Sequence, residues 1–246
     1  MRVINRVYLI LFLVCLSSVV CAQRFRAGLG ISYNEQIFNR SLVYVDTLVV
    51  FEGNLNSSDP FILPYIGYRL LDSKRIDLNI GFQYHSGNGI SIFVNDRRSP
   101  IPYRSGKTKG VYRANIEMPI MIDFKVVDFK GLTLNLVGGL VPVWSIPNRT
   151  LMNYVPDNID WSQEIVDALN AAETIPRNFY LNYSFGLALE YGRFGTYFSR
   201  YHNLQRSISK GYTLYGTTYP FQRRISSSRF GLYYRFDIGK KKQKTT

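Results

Sequence analysis

The sequence predicts an all-β fold: a closed antiparallel up-and-down transmembrane barrel of eight strands, with long extracellular loops and short periplasmic turns. Three observations carry this. Segments of strict apolar–polar alternation recur along the chain, the connections between them alternate long and short, and the first residues form an export leader. Composition agrees. Of 246 residues, 46% are hydrophobic, 15% aromatic and 19% charged, with 19 Tyr and 16 Phe. So many large side chains exclude a disordered chain and suit strands, and an all-β barrel can fill this length as one domain.

Residues 1–22, MRVINRVYLILFLVCLSSVVCA, place Arg2 and Arg6 before an apolar core from Val7 to Leu16, then small residues before Gln23. This pattern predicts a signal peptide cut after Ala22, because the apolar core is too short to span a bilayer as a helix. Val14 and Val20 stand before the cysteines where a lipid-attachment pattern wants small residues. Cys15 and Cys21 therefore leave with the leader. The expected mature chain has no disulfide, no cysteine-bound metal and no thiol nucleophile. Losing Arg2 and Arg6 takes the formal charge from +13 to +11, and export argues that this basicity serves no nucleic-acid partner. The barrel is expected over residues 23–239, followed by a basic periplasmic tail, 240–246, holding Lys240, Lys241, Lys242 and Lys244.

The strands follow in order. Phe25 to Tyr33 alternates against Arg26, Gly28, Gly30 and Ser32; residues 61–71 form a second, less regular strand; and 76–85 sets Ile76, Leu78, Ile80, Phe82 and Tyr84 against Asp77, Asn79, Gly81, Gln83 and His85. Residues 112–125 oppose Tyr112, Ala114, Ile116, Met118, Ile120, Ile122 and Phe124 to Arg113, Asn115, Glu117, Pro119, Met121, Asp123 and Lys125. Segments 132–146, 179–191 and 194–205 continue the set, and the last strand carries Phe230, Leu232, Tyr234, Phe236 and Ile238 against Gly231, Tyr233, Arg235 and Asp237. The intervening stretches are 35–60, 72–75, 86–111, 126–131, 147–178, 192–193 and 206–224, long and short by turns. Hairpins with tight turns on one side of a membrane produce that rhythm, whereas an aqueous sandwich has no reason to. Strand lengths match the roughly nine to eleven residues needed to cross a bilayer obliquely. Aromatics sit at strand ends, as in interface girdles.

The segment RFGLYYRF places Arg229, Gly231, Tyr234 and Phe236 in a polar-x-Gly-x-x-aromatic-x-aromatic pattern on the last strand. With the leader and the eight-strand layout, the chain resembles the small outer-membrane β-barrel (porin-like) family of Gram-negative bacteria. The resemblance implies that these four residues form the signal read by the barrel-insertion machinery, and that the outer-membrane bilayer is the chain's main partner. The chain departs from the family pattern in continuing from Asp237 to Thr246 past the terminal aromatic.

If the polar faces point inward, the lumen collects Arg26, Arg69, Asp77, Arg113, Glu117, Asp123, Lys125, Glu190, Arg235 and Asp237, five basic and five acidic. An eight-stranded barrel is only wide enough to be filled by its side chains, so this set is expected to form an ion-pair plug. The sharper alternative is a gated ion or proton path through the same carboxylates. Loops 35–60 and 147–178 each carry −3, loops 86–111 and 206–224 each +4, so each basic loop has acidic neighbours. Within 147–178, Trp161, Ile165, Leu169 and Ala172 share one helical stripe, with Asp160 as the expected N-cap. That stripe either covers the barrel end or receives an envelope protein partner. LVYVDTLVVFEG, around Asp46, predicts a hairpin standing above the membrane; counted into the barrel it would make ten strands.

No catalytic, metal-binding or cofactor-binding residue is expected. His85 beside Ser86, and His202 near Ser207, have no recognisable catalytic spacing, and the glycines of 28–30 and 87–89 lack a strand–turn–helix context for phosphate. The expected role is a structural or binding protein acting through its outer loops. The alternatives are an accessory subunit of a protein-secretion or envelope-assembly complex and, further off, a lipid-modifying barrel enzyme.

Overall fold

The computed structural model describes residues 25–39, 42–53, 61–72, 75–96, 107–147 and 162–236, with the backbone alone at some positions, 34–39 and 85–89 among them. The expected leader, Asp160, Trp161, Asp237 and the basic tail lie outside the described residues. In chain order the elements are β1 (Phe25–Asn39), β2 (Leu42–Val45), β3 (Leu48–Gly53), β4 (Phe61–Asp72), β5 (Ile76–Asp96), β6 (Lys107–Glu117), β7 (Ile120–Phe129), β8 (Leu132–Pro147), α1 (Gln163–Ala171), β9 (Phe179–Tyr191), β10 (Phe194–Asn203), β11 (Tyr212–Leu214), β12 (Thr217–Tyr219) and β13 (Gln222–Phe236).

β6 and β7 are two halves of one barrel strand. They part at Met118–Pro119 because proline has no N–H for the ladder, yet the sheet is carried across the gap: Gly81 N–H donates to Pro119 O at 2.7 Å and Met118 N–H to Pro142 O at 3.0 Å. With that strand counted once, eight antiparallel strands close, as β13 pairs β1 along fifteen registered residues from Phe25↔Phe236 to Asn39↔Gln222. Strand 112–125 of the sequence reading is thus interrupted. The hairpin around Asp46 forms but does not enter the barrel; β3 adds to the distal half of β5, Leu48 opposite Asp96 and Gly53 opposite Ser91. Eight strands, not ten, make the wall.

Both termini of the barrel and its tight turns lie at one end. Lys130 and Gly131 both have positive φ, 49° and 84°, the geometry of a two-residue turn whose twist matches its strands. Gly192, at φ 59°, serves the next hairpin on that side. At this end and through the middle of the barrel, apolar side chains face outward: Leu29, Ile62 and Leu232 are 62%, 72% and 61% exposed, while Asp77, Asn115 and Asn135 are fully buried. A water-soluble barrel has the opposite arrangement.

At the long-loop end the strands run further than the alternation suggested: β1 to Asn39, β5 to Asp96, β6 from Lys107 and β13 from Gln222. The cause is legible on β5. Asp77, Asn79 and Gln83 face in, at odd positions; a bulge between Ser86 and Asn88 leaves Gly87 unpaired; beyond it Ile90, Ile92 and Val94 face in, at even positions. One extra residue swaps the faces of a strand. Above the bulge Ile90, Ile92 and Val94 bring an apolar set inside, with Asn95 and Lys109 as buried polar neighbours. Val43, Val45, Leu48 and Val50 of the β2–β3 hairpin, Val111 of β6, Leu169 and Ala172 of the helical segment, and Tyr212, Leu214 and Phe221 near β11 pack with it into a cap core.

Candidate functional site

The lumen beneath that cap is braced in tiers. Nearest the short turns, Arg26 on β1 reaches Asp123 on β7 at 3.2 Å and Glu190 on β9 at 2.8 Å. Arg69 on β4 meets Asp77 at 3.4 Å and Glu190 at 3.6 Å, and Lys125 reaches Asp77 at 3.3 Å. Glu190 gathers this tier: it also accepts from the Tyr233 hydroxyl at 2.6 Å and pairs with Arg235 at 3.4 Å. The period of two places every one of these side chains on the inner face, and charges removed from water persist only when paired.

One tier further out, Arg229 on β13 forks onto Glu117 on β6, with Nη2–Oε1 at 2.9 Å and a second bond from Nη1 to Oε2. Nη1 also donates to Gln83 at 2.8 Å, and the guanidinium lies 3.8 Å from the centre of the Tyr201 ring. β13 and β6 stand on opposite sides of the barrel, so this pair is a strut across the lumen. The sequence pattern assigns Arg229 only to the terminal-strand signal; its odd position, shared with Gly231, Tyr233 and Arg235, is the cue to an inward side chain. Arg113 departs from the expected ion-pair set. Its guanidinium bonds Ser145 Oγ at 2.8 Å and Asn178 Oδ1 at 2.7 Å.

Between the tiers lies a cavity of about 60 Å³ bounded by Arg26, Tyr65, Asn79, Asp123, Tyr197 and Tyr201 among others. That holds a few waters and no hydrated solute. Lumen tyrosines close it by lying over glycines: a Cβ at Gly231 would strike the Tyr197 ring, and one at Gly195 the Tyr233 ring. Outward of Arg229, Val141, Val143, Tyr180, Tyr201, Ile208 and Ile225 form an apolar stopper.

The two aromatics of the terminal-strand pattern face out, while Gly231 shares the inward parity of Arg229. Tyr234 and Phe236 meet edge to face at 5.1 Å, with Phe194 on Tyr234 at 5.1 Å and Phe25 against Phe236 at 6.2 Å.

In the cap, α1 starts at Gln163 with Ser162 in the N-cap position, where no side-chain bond caps it; this corrects Asp160 as the cap. Leu169 is fully buried and Ile165 packs on the same core, so the stripe covers the barrel end and a partner contact through Leu169 is corrected. The Tyr212 hydroxyl donates to Ala168 O at 2.7 Å, and burial pushes its pKa above the ordinary phenol value. Lys109, from the basic loop, donates to Glu173 at 2.7 Å and Asn170 at 2.8 Å of the acidic one. His202 faces outward against the rings of Tyr183 and Phe185, 5.4 and 5.8 Å between centroids. The Ser207 hydroxyl bonds Ser209 and the backbone of Arg223 instead.

No protein-family model matches the chain, nor does any curated protein. Among solved structures it is similar to the attachment invasion locus protein Ail of Yersinia pestis, at 10% identity over 86% of this chain and 98% of that one, TM-score 0.38. It is similar also to the outer membrane protein AlkL, at 11% over 88% and 92% with TM-score 0.37, and to the translocator domain of the autotransporter NalP from Neisseria meningitidis, at 11% over 87% of each chain with TM-score 0.35. At such values the barrel rests on its own strand pairings.

Proposed function

We propose that the chain is an integral outer-membrane barrel protein whose lumen is sealed, and that it acts as a structural or binding protein through its outer face. One observation carries this reading: the wall is inside out, with exposed Leu29, Ile62 and Leu232 around a core of buried Asp77, Asn115 and Asn135. An apolar belt that size is unstable in water and stable in lipid. The Arg229–Glu117 strut crosses the lumen, and the apolar stopper and the cap core lie outward of it, which supports a sealed lumen.

Two measurements test it. The chain from Gln23 onward should fold only in detergent or lipid and migrate on gels in a heat-modifiable way; solubility without detergent would refute the membrane reading. In planar bilayers the folded protein should give no large, steady conductance steps, and such steps would refute the seal.

A further inference from the structure

One recess in the outward face of the barrel lies beside the seam where β13 closes on β1. Near the short-turn rim the outward side chains stand in two rows across β1, β13, β10 and β9. Ala27, Tyr234, Phe194 and Tyr191 form the row at the rim, and Leu29, Leu232, Thr196 and Leu189 the next. Ala27 and Thr196 are the small members of rows otherwise made of leucines and aromatic rings. They sit on either side of β13, two strand spacings or about 10 Å apart, with exposed Leu232 standing between their strands. The recess they open holds about 590 Å³.

A cation stands at its rim-side mouth. Arg193 lies in the β9–β10 turn, between the lining residues Tyr191 and Phe194, and its Nη1 donates to the Tyr234 hydroxyl at 3.3 Å. Gly192 N–H donates to Gly131 O at 3.3 Å, which sets the Lys130 turn beside it. Neither row holds an acid; the described acids of this end are Asp72 on β4, Asp128 on β7, and Asp77, Asp123 and Glu190 inside the barrel. A second copy of the chain suits this surface poorly. Both copies insert with the same end down, so a two-fold contact through the recess would set Arg193 and Lys130 against their own images, and like charges across an interface oppose association. A lipid of the leaflet on the short-turn side meets the recess the right way round. Its chains run inward from its phosphate, and a guanidinium suits phosphate oxygens and has five donors to share. Two dents astride Leu232 match two chains leaving one headgroup. We propose that this recess is a specific seat for one two-chain glycerophospholipid, its chains along Ala27 and Thr196 and its phosphate at Arg193. The proposal rests on the belt facing lipid.

The test is native mass spectrometry of the chain from Gln23 onward in neutral detergent micelles, titrated with dioleoyl phosphatidylglycerol. Dioleoylglycerol, which lacks the phosphate, and the single-chain lysophosphatidylglycerol are titrated in parallel. One phospholipid should stay bound per protein, and both comparison lipids should bind more weakly. Ala27→Phe with Thr196→Phe fills the two dents and should abolish the retained lipid. Arg193→Gln should weaken it about fivefold, the effect of one charge near a membrane surface. Ile122→Phe, on the outward face of β7, should leave it unchanged. Undiminished binding by the filled variant or by Arg193→Gln, equal binding of either comparison lipid, or an equal loss in Ile122→Phe overturns the proposal. A wild type that is dimeric, and monomeric once the dents are filled, overturns it in favour of a contact between copies. If the filled variant loses its heat-modifiable form, Arg193→Gln and the lipid comparison in the wild type decide by the same criteria. A wild type soluble without detergent would instead remove the belt reading beneath the proposal.

Discussion

The barrel and the cap are built from the same strands with opposite polarity. In the barrel β5 turns Asp77, Asn79 and Gln83 inward; in the cap, beyond the bulge at Gly87, it turns Ile90, Ile92 and Val94 inward. Below, the buried charges are held by long-range pairs and the apolar side is left to the surroundings. Above, burial is of the ordinary aqueous kind, completed by Leu169 and Tyr212. Alternation alone therefore shows that a segment is a strand with two unlike faces. Which face is the inside depends on the solvent, and the solvent changes along this molecule.

That contrast can be broken on the barrel side first. Glu117→Ala strands Arg229 without its carboxylate in the lumen, and breaking a buried pair costs about 3–5 kcal/mol. Urea titration of the heat-modifiable band in detergent should show the largest loss of this series, while Glu117→Gln, which keeps the shape and an acceptor, should lose less. On the cap side Leu169→Ala removes a fully buried side chain, at about 2–5 kcal/mol for such a truncation. Its loss should appear as protease cleavage near the helix with the barrel band intact; a parallel loss of the barrel would mean the two regions fold as one.

The lipid belt responds to charge rather than volume. Ile122→Arg, 51% exposed on the outward face of β7, should cost about 2–4 kcal/mol if it lies at mid-bilayer. In a water-exposed belt the same change would be neutral or improve solubility, so assembly yield in lipid vesicles discriminates. The smallest effect is Tyr212→Phe, which removes the bond to Ala168 O at about 0.5–1.5 kcal/mol. Protease sensitivity of the cap should rise slightly and the barrel should not change.

Much of the wall was legible in the sequence because period two needs no knowledge of the surroundings. The inward set from Arg26 to Arg235 follows from parity, and so does Arg229, whose place in the terminal-strand pattern says nothing of its direction. Pairing was not legible. Glu190 meets Arg26, Arg69 and Arg235 because closure brings β1, β4 and β13 round to β9, and closure is a long-range event. The helix stripe at Ile165 and Leu169 was visible as a stripe, but its direction was not, since an apolar face looks the same whether it meets a partner or its own chain. The extent of β5 was hidden by Gly87: a one-residue slip makes GISIFVND look out of phase with the strand it continues.

Residues 23–246 contain no cysteine, so single cysteines can be introduced and spin-labelled one at a time along β5, from position 76 to 96, in the protein reconstituted in lipid. Accessibility to a lipid-phase relaxant is the direct test of the inverted faces. Even positions through 84 should be accessible to it and odd positions not; beyond 87 the even positions 90, 92 and 94 should be shielded from both lipid-phase and aqueous relaxants. A single parity of lipid accessibility running unbroken from 76 to 94, or even positions open to water beyond the bulge, would contradict the two-region account.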